Sequence, residues 1–305
     1  MKRKIPNLFI VGAAKAGTNS LWFLLKQHPE IFMTESELVK EPGYFSNLIG
    51  ISNEAKYLEL FAHASQEKYV GEASTSYLTD PASAKRIYQF NPDAKIIIML
   101  RNPIHRAYSL YNWMVQEGYE YSPTFEAALA QEEKRKNKNI PNLIFETQYF
   151  YNYMYISSGL YSTQIARYVN LFGRKNVFIG LFEEFIDDTK SLLMRIFDWL
   201  EIEKKSLKLD KQKNPSNKVV NSYLPFILRK FIQGFSLIYK PKSKEERDFL
   251  LNLVKLDEKP KPLKNETYKK LYRLYQDEYR KLEEDFRLNL DVWRKADQLI
   301  YQQNQ

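Results

Sequence analysis

The chain has 305 residues, of which 44% are hydrophobic and 27% charged, a balance typical of a globular protein and not of a disordered or fibrous one. It contains no cysteine and only three histidines, which excludes disulfides, cysteine–zinc sites and thiol catalysis and argues against a histidine-rich metal site. Its net charge of +9 favours an anionic partner, which nucleic acid, a membrane surface or a phosphorylated small molecule could each provide.

The N-terminal segment imitates a secretion signal, with basic residues at 2–4 followed by the apolar run 5–11. Pro6 lies within that run and Lys15 interrupts the region where cleavage would occur, so a signal is not expected. We predict instead a buried strand over 7–12. The protein as a whole is expected to be soluble and cytoplasmic.

Further strands are predicted where short apolar runs end in turn residues. The strongest is Lys95–Leu100 (KIIIML), after which Asn102 and Pro103 form a cap and first-turn proline that begin a helix. The predicted strands cover 7–12, 69–73, 95–100 and 176–182. The predicted helices cover 19–27, 103–117, 159–172, a helix capped by Asp187 or Asp188 that reaches residue 200, and a long amphipathic helix over 268–286.

This alternation of strands and helices is typical of an α/β fold with a mostly parallel, doubly wound, P-loop-like sheet flanked by helices. We predict one domain over 1–305, with a nucleotide-binding core at about 5–225 and additional C-terminal helices at about 226–305. Within it, 132–138 is expected to be a solvated charged turn and the lysine-rich 204–218 a loop. The apolar stretch 219–239 is expected to be a packed helix, with contact to a membrane surface as the alternative.

A loop rich in small residues, Gly12-Ala-Ala-Lys-Ala-Gly-Thr-Asn-Ser20, separates the first strand from the first helix. Such a loop lets the backbone approach an anion, and the N–H groups from Gly17 to Ser20 would point at it from the helix N-terminus. A P-loop kinase requires Gly-Lys-Ser/Thr at the end of the loop, whereas Lys15 here precedes the second glycine. A simple tight turn is the alternative, but it would not require Lys15.

A second candidate anion site follows the strongest strand. Arg101 stands at the carboxyl end of that strand, where ligands bind in such sheets, and Ser109 lies about two helical turns further on. Guanidinium and hydroxyl groups are a suitable pair for a phosphate. Two separate anion sites suit a nucleotide that carries phosphates at both ends of its ribose.

The loop resembles the 5′-phosphosulfate-binding motif of the sulfotransferases that use 3′-phosphoadenosine 5′-phosphosulfate (PAPS), and Arg101 to Ser109 resembles their 3′-phosphate-binding motif. The wording Arg-Asn-Pro-x-x-Arg-Ala-Tyr-Ser, together with Lys-Glu-Pro-Gly-Tyr-Phe at 40–45, is most similar to the heparan sulfate N- and 3-O-sulfotransferases and their bacterial relatives. The resemblance covers roughly 5–225. It implies PAPS as co-substrate, adenosine 3′,5′-bisphosphate (PAP) as product, and no required metal.

The resemblance also implies residue roles. Lys15 would contact the oxygen that bridges phosphate and sulfate, and Glu41 matches the family's catalytic carboxylate. Glu72 has a similar claim as a base or as a ligand of the sulfuryl acceptor. Ala73 stands where the animal heparan enzymes often have a lysine, which counts against a heparan-like acceptor. The 5′-phosphate would be held by the backbone of Ala16, Gly17, Thr18 and Asn19, and the 3′-phosphate by Arg101 and Ser109.

Sulfuryl transfer is expected to run in line through a loose transition state, so positioning and charge stabilisation dominate. Lys15 would neutralise charge on the departing phosphate, and a carboxylate such as Glu41 would take the acceptor's proton. His105 is expected to be a capping or surface residue. The aromatic segment 149–155 is expected either to line the acceptor entrance or to pack in the core.

Two other function classes remain as alternatives: a nucleotide or small-molecule kinase, and a non-enzymatic basic protein. The order of Lys15 and Gly17 argues against the first, and no nucleic-acid-binding motif supports the second. No nucleic acid partner is therefore expected, and peripheral membrane contact is the less favoured reading. The acceptor stays open between a carbohydrate, which the resemblance favours, a lipid and a small molecule, and the sequence does not determine the oligomeric state.

Overall fold

The structure is a computed structural model that describes residues 5–34, 41–46, 50–116, 119–120, 122–137, 149–209 and 262–302. The predicted helix over 219–239 and the second half of the lysine-rich loop lie outside these ranges. The strands are β1 (Leu8–Gly12), β2 (Ile31–Met33), β3 (Tyr69–Ala73), β4 (Lys95–Leu100) and β5 (Val177–Leu181). The helices are α1 (Thr18–Leu25), α2 (Glu54–Glu59), α3 (Ser76–Thr79), α4 (Ser83–Phe90), α5 (Pro103–Gln116), α6 (Phe125–Asn137), α7 (Tyr161–Phe172), α8 (Phe182–Asp187), α9 (Thr189–Leu200), α10 (Asn265–Phe286) and α11 (Asp291–Gln302), with 3₁₀ turns at Phe150–Tyr153, Ser157–Gly159 and Arg174–Asn176.

The five strands form one sheet in the order β2-β3-β1-β4-β5, and every neighbouring pair is parallel. Nearly every strand residue is buried, because crossover helices cover a parallel sheet. The predicted parallel sheet flanked by helices is therefore confirmed. Strand order reverses beside β1, and in such sheets a switch point opens a crevice at the carboxyl ends of the strands.

Local sequence signals begin the helices that follow β4 and β5. Asn102 caps α5, since its side-chain Oδ1 accepts hydrogen bonds from the N–H groups of Ile104 at 3.0 Å and His105 at 3.3 Å. Asp188 caps α9 by accepting from the N–H of Ser191 at 2.9 Å. Both caps were predicted, and the apolar stripes of α9 and α10 are buried as expected.

The prediction of a solvated turn at 132–138 is wrong, because these residues belong largely to α6. Glu132 is only 1% exposed and Arg135 only 4%. Glu132 accepts hydrogen bonds from the N–H groups of Ile156 and Ser157, and Arg135 forms a 2.9 Å ion pair with Glu120. These charges are buried because they have partners far along the chain, which a local charge pattern does not reveal.

The chain divides into two compact units. The first comprises Met1–Arg106, Gly159–Gln212 and Lys269–Gln305, and it contains the whole sheet. The second comprises Ala107–Ser158 and Lys213–Tyr268, and it contains most of α5 and all of α6. The single-domain organisation predicted from the sequence stays a prediction. Across the described ranges, no helix has the length and apolarity required to span a membrane.

Candidate active site

The loop between β1 and α1 lies at the switch point of the sheet. Lys15 and Gly17 both adopt left-handed backbone conformations, with φ of 69° and 79°. A Cβ on Gly17 would lie 2.9 Å from the ring of Phe182, so both backbone conformation and space require glycine at this position. The N–H of Ala13 donates to the carbonyl of Met99 at 2.6 Å, which ties the loop to the end of β4.

The N-terminus of α1 has the features of an anion site. Gly17 is the N-cap and contributes no side chain, so no side chain caps the first turn, and no acidic residue lies in that turn. The N–H groups that begin a helix have no intrahelical partner and carry its positive dipole. Thr18 and Asn19 therefore present donors suited to a phosphate, whereas the N–H of Ala16 is engaged within the loop by the carbonyl of Ala13 at 3.2 Å.

Arg101 leaves the carboxyl end of β4 and reaches the loop directly. Its Nη1 donates to the carbonyl oxygen of Lys15 at 3.1 Å, and its guanidinium lies 4.6 Å from the centroid of the Phe182 ring. Burial lowers the pKa of Arg101 and the charge of Glu183 opposes this, but a guanidinium remains protonated. The two predicted anion-binding segments therefore meet at one edge of the sheet.

Side chains from distant elements fix the backbone around Arg101. The Glu183 carboxylate at the start of α8 accepts from the N–H of Asn102 at 3.0 Å and from the indole N–H of Trp293 at 2.8 Å. The hydroxyl of Tyr161 donates to the carbonyl of Arg101 at 2.9 Å. None of these three supporting residues was predicted, because each acts through a partner that lies far away in the sequence.

A pocket of about 190 Å³ lies beside these groups. His105 contributes to its wall, and burial together with the neighbouring Arg101 charge lowers the pKa of the imidazole to about 4. His105 was predicted to be a capping or surface residue, but Asn102 is the cap, which accepts from the N–H of His105 at 3.3 Å, and the half-buried ring of His105 faces this pocket. The lining includes Arg101, His105, Phe182, Glu183, Ile186 and Trp293.

Ser109 lies in the second turn of α5 and is half-buried. It belongs to the second compact unit, whereas Arg101 belongs to the first. Its role beside the 3′-phosphate stays a prediction.

Glu41 lies at the same edge of the sheet as the loop. It is exposed, and its Oε2 accepts from the backbone N–H of Thr75 at 3.0 Å and from the Thr75 hydroxyl at 2.8 Å. The carbonyl of Thr75 in turn lies 3.2 Å from where a Cβ on Gly12 would be, at the start of the loop. Thr75 thus binds the predicted catalytic carboxylate and lies beside the start of the predicted phosphosulfate loop.

Glu72 occupies a different environment, because it is fully buried in β3. Three hydroxyl groups donate to its carboxylate: those of Tyr57 at 2.7 Å, Tyr77 at 2.9 Å and Ser74 at 2.6 Å. Burial raises the pKa of Glu72 to about 7, although the three hydrogen bonds oppose this shift. Of the two predicted carboxylates, Glu41 belongs to an exposed residue and Glu72 to a fully buried one.

The aromatic segment 149–155 packs mainly in the core of the second unit. Tyr149, Tyr153 and Tyr155 are buried, and the hydroxyl of Tyr155 donates to Glu120 at 2.8 Å. The core interpretation accounts for these three side chains. Phe150 and Tyr151 are half-buried.

Comparison with known proteins connects this geometry to a family. A family model described as a sulfotransferase domain matches residues 6–234. A crystal structure of a sulfotransferase from Alicyclobacillus acidocaldarius superposes with a TM-score of 0.70 at 29% identity, covering 95% of this chain and 99% of that one.

Two curated relatives match shorter segments. The membrane-associated sulfotransferase kil1 of Dictyostelium discoideum is 33% identical over 113 residues, which are 37% of this chain and 24% of the relative. Human heparan sulfate glucosamine 3-O-sulfotransferase 6 is 32% identical over 112 residues, which are 36% of this chain and 31% of the relative. The matches therefore span less than a third of the length of these relatives.

These findings confirm the resemblance that the two anion-binding motifs indicated, and they confirm the P-loop-like fold. The family match covers the sheet, the loop at 12–17 and both predicted carboxylates. The chain belongs to the sulfotransferase family.

Proposed function

We propose that this chain transfers a sulfuryl group from PAPS to a hydroxyl or amine of an acceptor and releases PAP. The observation that carries the proposal is the 3.1 Å hydrogen bond from Arg101 to the carbonyl of Lys15. It joins the residue predicted to bind the 3′-phosphate to the residue predicted to act at the phosphosulfate. A donor with anionic groups at both ends of its ribose matches this arrangement.

The donor set fits the nucleotide. The N–H groups of Thr18 and Asn19 at the start of α1 are suited to the 5′-phosphate, with Gly17 allowing close approach. The guanidinium of Arg101, whose backbone carbonyl accepts from the Tyr161 hydroxyl, is suited to the 3′-phosphate. The adjoining pocket of about 190 Å³ offers room for part of the nucleoside.

The chemical step requires two changes of charge. The bond between sulfur and the bridging oxygen breaks, and negative charge grows on the departing PAP, where the Lys15 ammonium stabilises it. The acceptor oxygen or nitrogen bonds to sulfur and loses its proton, which the Glu41 carboxylate takes. Glu41 is exposed and anchored by Thr75, as a base that meets an incoming acceptor must be. No step in this scheme uses a metal.

A carbohydrate is the proposed acceptor class. The similarity to a protein named as a heparan sulfate glucosamine sulfotransferase supports this, whereas Ala73 at the position where the animal enzymes often have lysine counts against heparan itself. A screen with radiolabelled PAPS against sugar, lipid and small-molecule pools would identify the acceptor. Label entering only lipid would contradict the carbohydrate assignment.

Binding of PAP, the nucleotide that remains after PAPS has lost its sulfuryl group, tests the proposal. PAP at one hundred times its dissociation constant is expected to add about 2.7 kcal/mol of apparent stability, measurable as a thermal shift, and to do so in excess chelator. An absent shift at millimolar PAP would contradict the proposed function. A shift that appears only with ATP and magnesium would favour the kinase alternative.

Replacing Arg101 by alanine is expected to remove the preference for a 3′-phosphate. Hydrogen bonds to charged groups contribute about 1.5–3 kcal/mol, so PAP should bind about 10–100-fold more weakly to the variant. AMP lacks the 3′-phosphate and is affected only through the lost contact to the carbonyl of Lys15, so its affinity should fall by less. Calorimetry with PAP and AMP measures both affinities. Arg174 is a matched control, because it donates to the carbonyl of Val177 at the beginning of β5, away from the carboxyl ends of the strands. Arg174→Ala should keep the preference for PAP over AMP. An Arg101→Ala protein that still prefers PAP over AMP would refute the assignment.

A further inference from the structure

The buried Glu72 carboxylate is the centre of a hydrogen-bond network that extends to the segment carrying Glu41. Two of the three hydroxyls that donate to Glu72 also accept from the backbone of this segment. The Ser74 hydroxyl accepts from the N–H of Gly43 at 3.0 Å, and the Tyr77 hydroxyl accepts from the N–H of Phe45 at 3.3 Å. A single hydroxyl therefore links Glu72 to the backbone of 41–46 at each of these two places.

The directions of these hydrogen bonds are determined by chemistry. A backbone N–H can only donate, so the oxygens of Ser74 and Tyr77 must accept from Gly43 and Phe45. Each hydroxyl hydrogen is then directed to Glu72, whose two oxygens accept at 2.6 and 2.9 Å. A group at position 72 that donates hydrogen bonds, as the amide of glutamine does, would turn these hydroxyls around and compete with the backbone.

Two hydrogen bonds from this network hold the backbone of the 41–46 segment. Its buried side chains are Pro42 and Phe45, and Phe45 contacts the rings of Phe9, Tyr57 and Tyr77 edge-on. Edge-to-face contacts orient the ring of Phe45, but they do not satisfy the backbone N–H groups of the segment. The hydrogen bonds at Gly43 and Phe45 flank Tyr44 and lie two and four residues after Glu41. Together with the bonds from the N–H of Ile51 to the carbonyl of Pro42 at 2.8 Å and from the Ser83 hydroxyl to the carbonyl of Phe45 at 2.9 Å, they hold the backbone that carries the exposed carboxylate.

We infer that Glu72 is a positioning residue, which acts through the Ser74 and Tyr77 hydroxyls to hold the 41–46 segment and thereby aim Glu41 at the sulfuryl acceptor. This inference rests on the proposed role of Glu41. It assigns different tasks to the two carboxylates, because Glu72 makes no contact with solvent and none of its oxygens lacks a donor. Burial raises the pKa of Glu72 to about 7, as expected for a carboxylate that contacts protein hydroxyls and not solvent.

Two tyrosines of the network provide a matched test. Tyr57 and Tyr77 are both fully buried, and both donate to Oε1 of Glu72. Of these two tyrosine hydroxyls, only that of Tyr77 also accepts a hydrogen bond from the described backbone of 41–46, at Phe45. Tyr77→Phe and Tyr57→Phe thus each remove one donor from Glu72, and only the first removes a contact to the segment.

Amide hydrogen exchange and turnover measured on both full-length variants test the inference. In Tyr77→Phe we expect exchange at the Phe45 amide to become about tenfold faster and kcat to fall about tenfold, with PAP affinity unchanged. In Tyr57→Phe we expect wild-type exchange at Phe45 and wild-type kcat. Ser74→Ala should reproduce the Tyr77→Phe result, with the faster exchange at Gly43.

The outcomes separate this inference from the proposed function. Equal effects of Tyr57→Phe and Tyr77→Phe on kcat would show a merely structural role for the network and overturn the inference. Faster exchange at Phe45 with unchanged kcat would overturn it as well. Failure of the wild-type protein to bind PAP would instead contradict the proposed function, and that measurement does not depend on the network.

Discussion

The Lys15→Ala protein is expected to bind PAP with nearly wild-type affinity but to turn over about 10²–10³-fold more slowly. The reason is that the Lys15 ammonium meets charge that develops only as the bond to sulfur breaks, so its loss raises the barrier without weakening the ground state equally. Lys15 has a left-handed backbone conformation, and its own carbonyl accepts from Arg101. Because this contact is to the backbone, the alanine variant can keep it.

Steady-state kinetics with radiolabelled PAPS and an acceptor pool found in the screen measure this effect. Lys26→Ala is the matched control, because Lys26 lies at the other end of α1, with its ammonium 5.5 Å from the centroid of the Trp22 ring. The control should have wild-type kcat. A Lys15→Ala protein with a raised KM for PAPS and an unchanged kcat would show that Lys15 binds the ground state, and the assigned role would be wrong.

The Glu41→Gln protein is expected to lose about 10²–10⁴-fold in kcat while its fold and its affinity for PAP remain unchanged. Glutamine keeps the shape of the side chain and can still accept the two hydrogen bonds from Thr75, which hold Glu41 at 2.8 and 3.0 Å. It cannot take up a proton from the acceptor. The loss should therefore appear in the chemical step, measured in single turnover with PAPS bound in advance.

Glu54→Gln is the control for this experiment. Glu54 is an exposed carboxylate that accepts from the Tyr44 hydroxyl at 3.4 Å, so it lies close to the same segment without a predicted role in catalysis. Its variant should retain wild-type kcat. Nearly normal turnover in Glu41→Gln beside an inactive Glu72→Gln would move the base to Glu72. Normal turnover in both would exclude a carboxylate base, and His105, whose pKa near 4 makes it a weak base, would be tested next.

The sequence by itself determined the parts of the protein that depend on neighbouring residues. The apolar runs at β1, β4 and β5 predicted buried strands because a parallel strand covered on both faces has to be apolar throughout. The spacing of the glycines predicted the loop before α1. The end of the β4 apolar run predicted that Arg101 stands at the carboxyl end of a strand. β2 was not predicted, since a strand of three residues has too few positions to show a period.

The tertiary structure alone decided which polar groups are buried and what they contact. The sequence favours Glu41 as the base and leaves Glu72 as its nearest competitor, and only the structure shows that Glu72 is enclosed by three hydroxyls while Glu41 is exposed. The charged residues of α6 were predicted to be solvated and are buried. The residues that hold the backbone around Arg101 were not predicted. In both cases the partner lies elsewhere in the sequence. A buried charge is tolerated only where specific partners satisfy it, and partners such as Glu183 and Trp293, 110 positions apart in the sequence, become neighbours only when the chain folds.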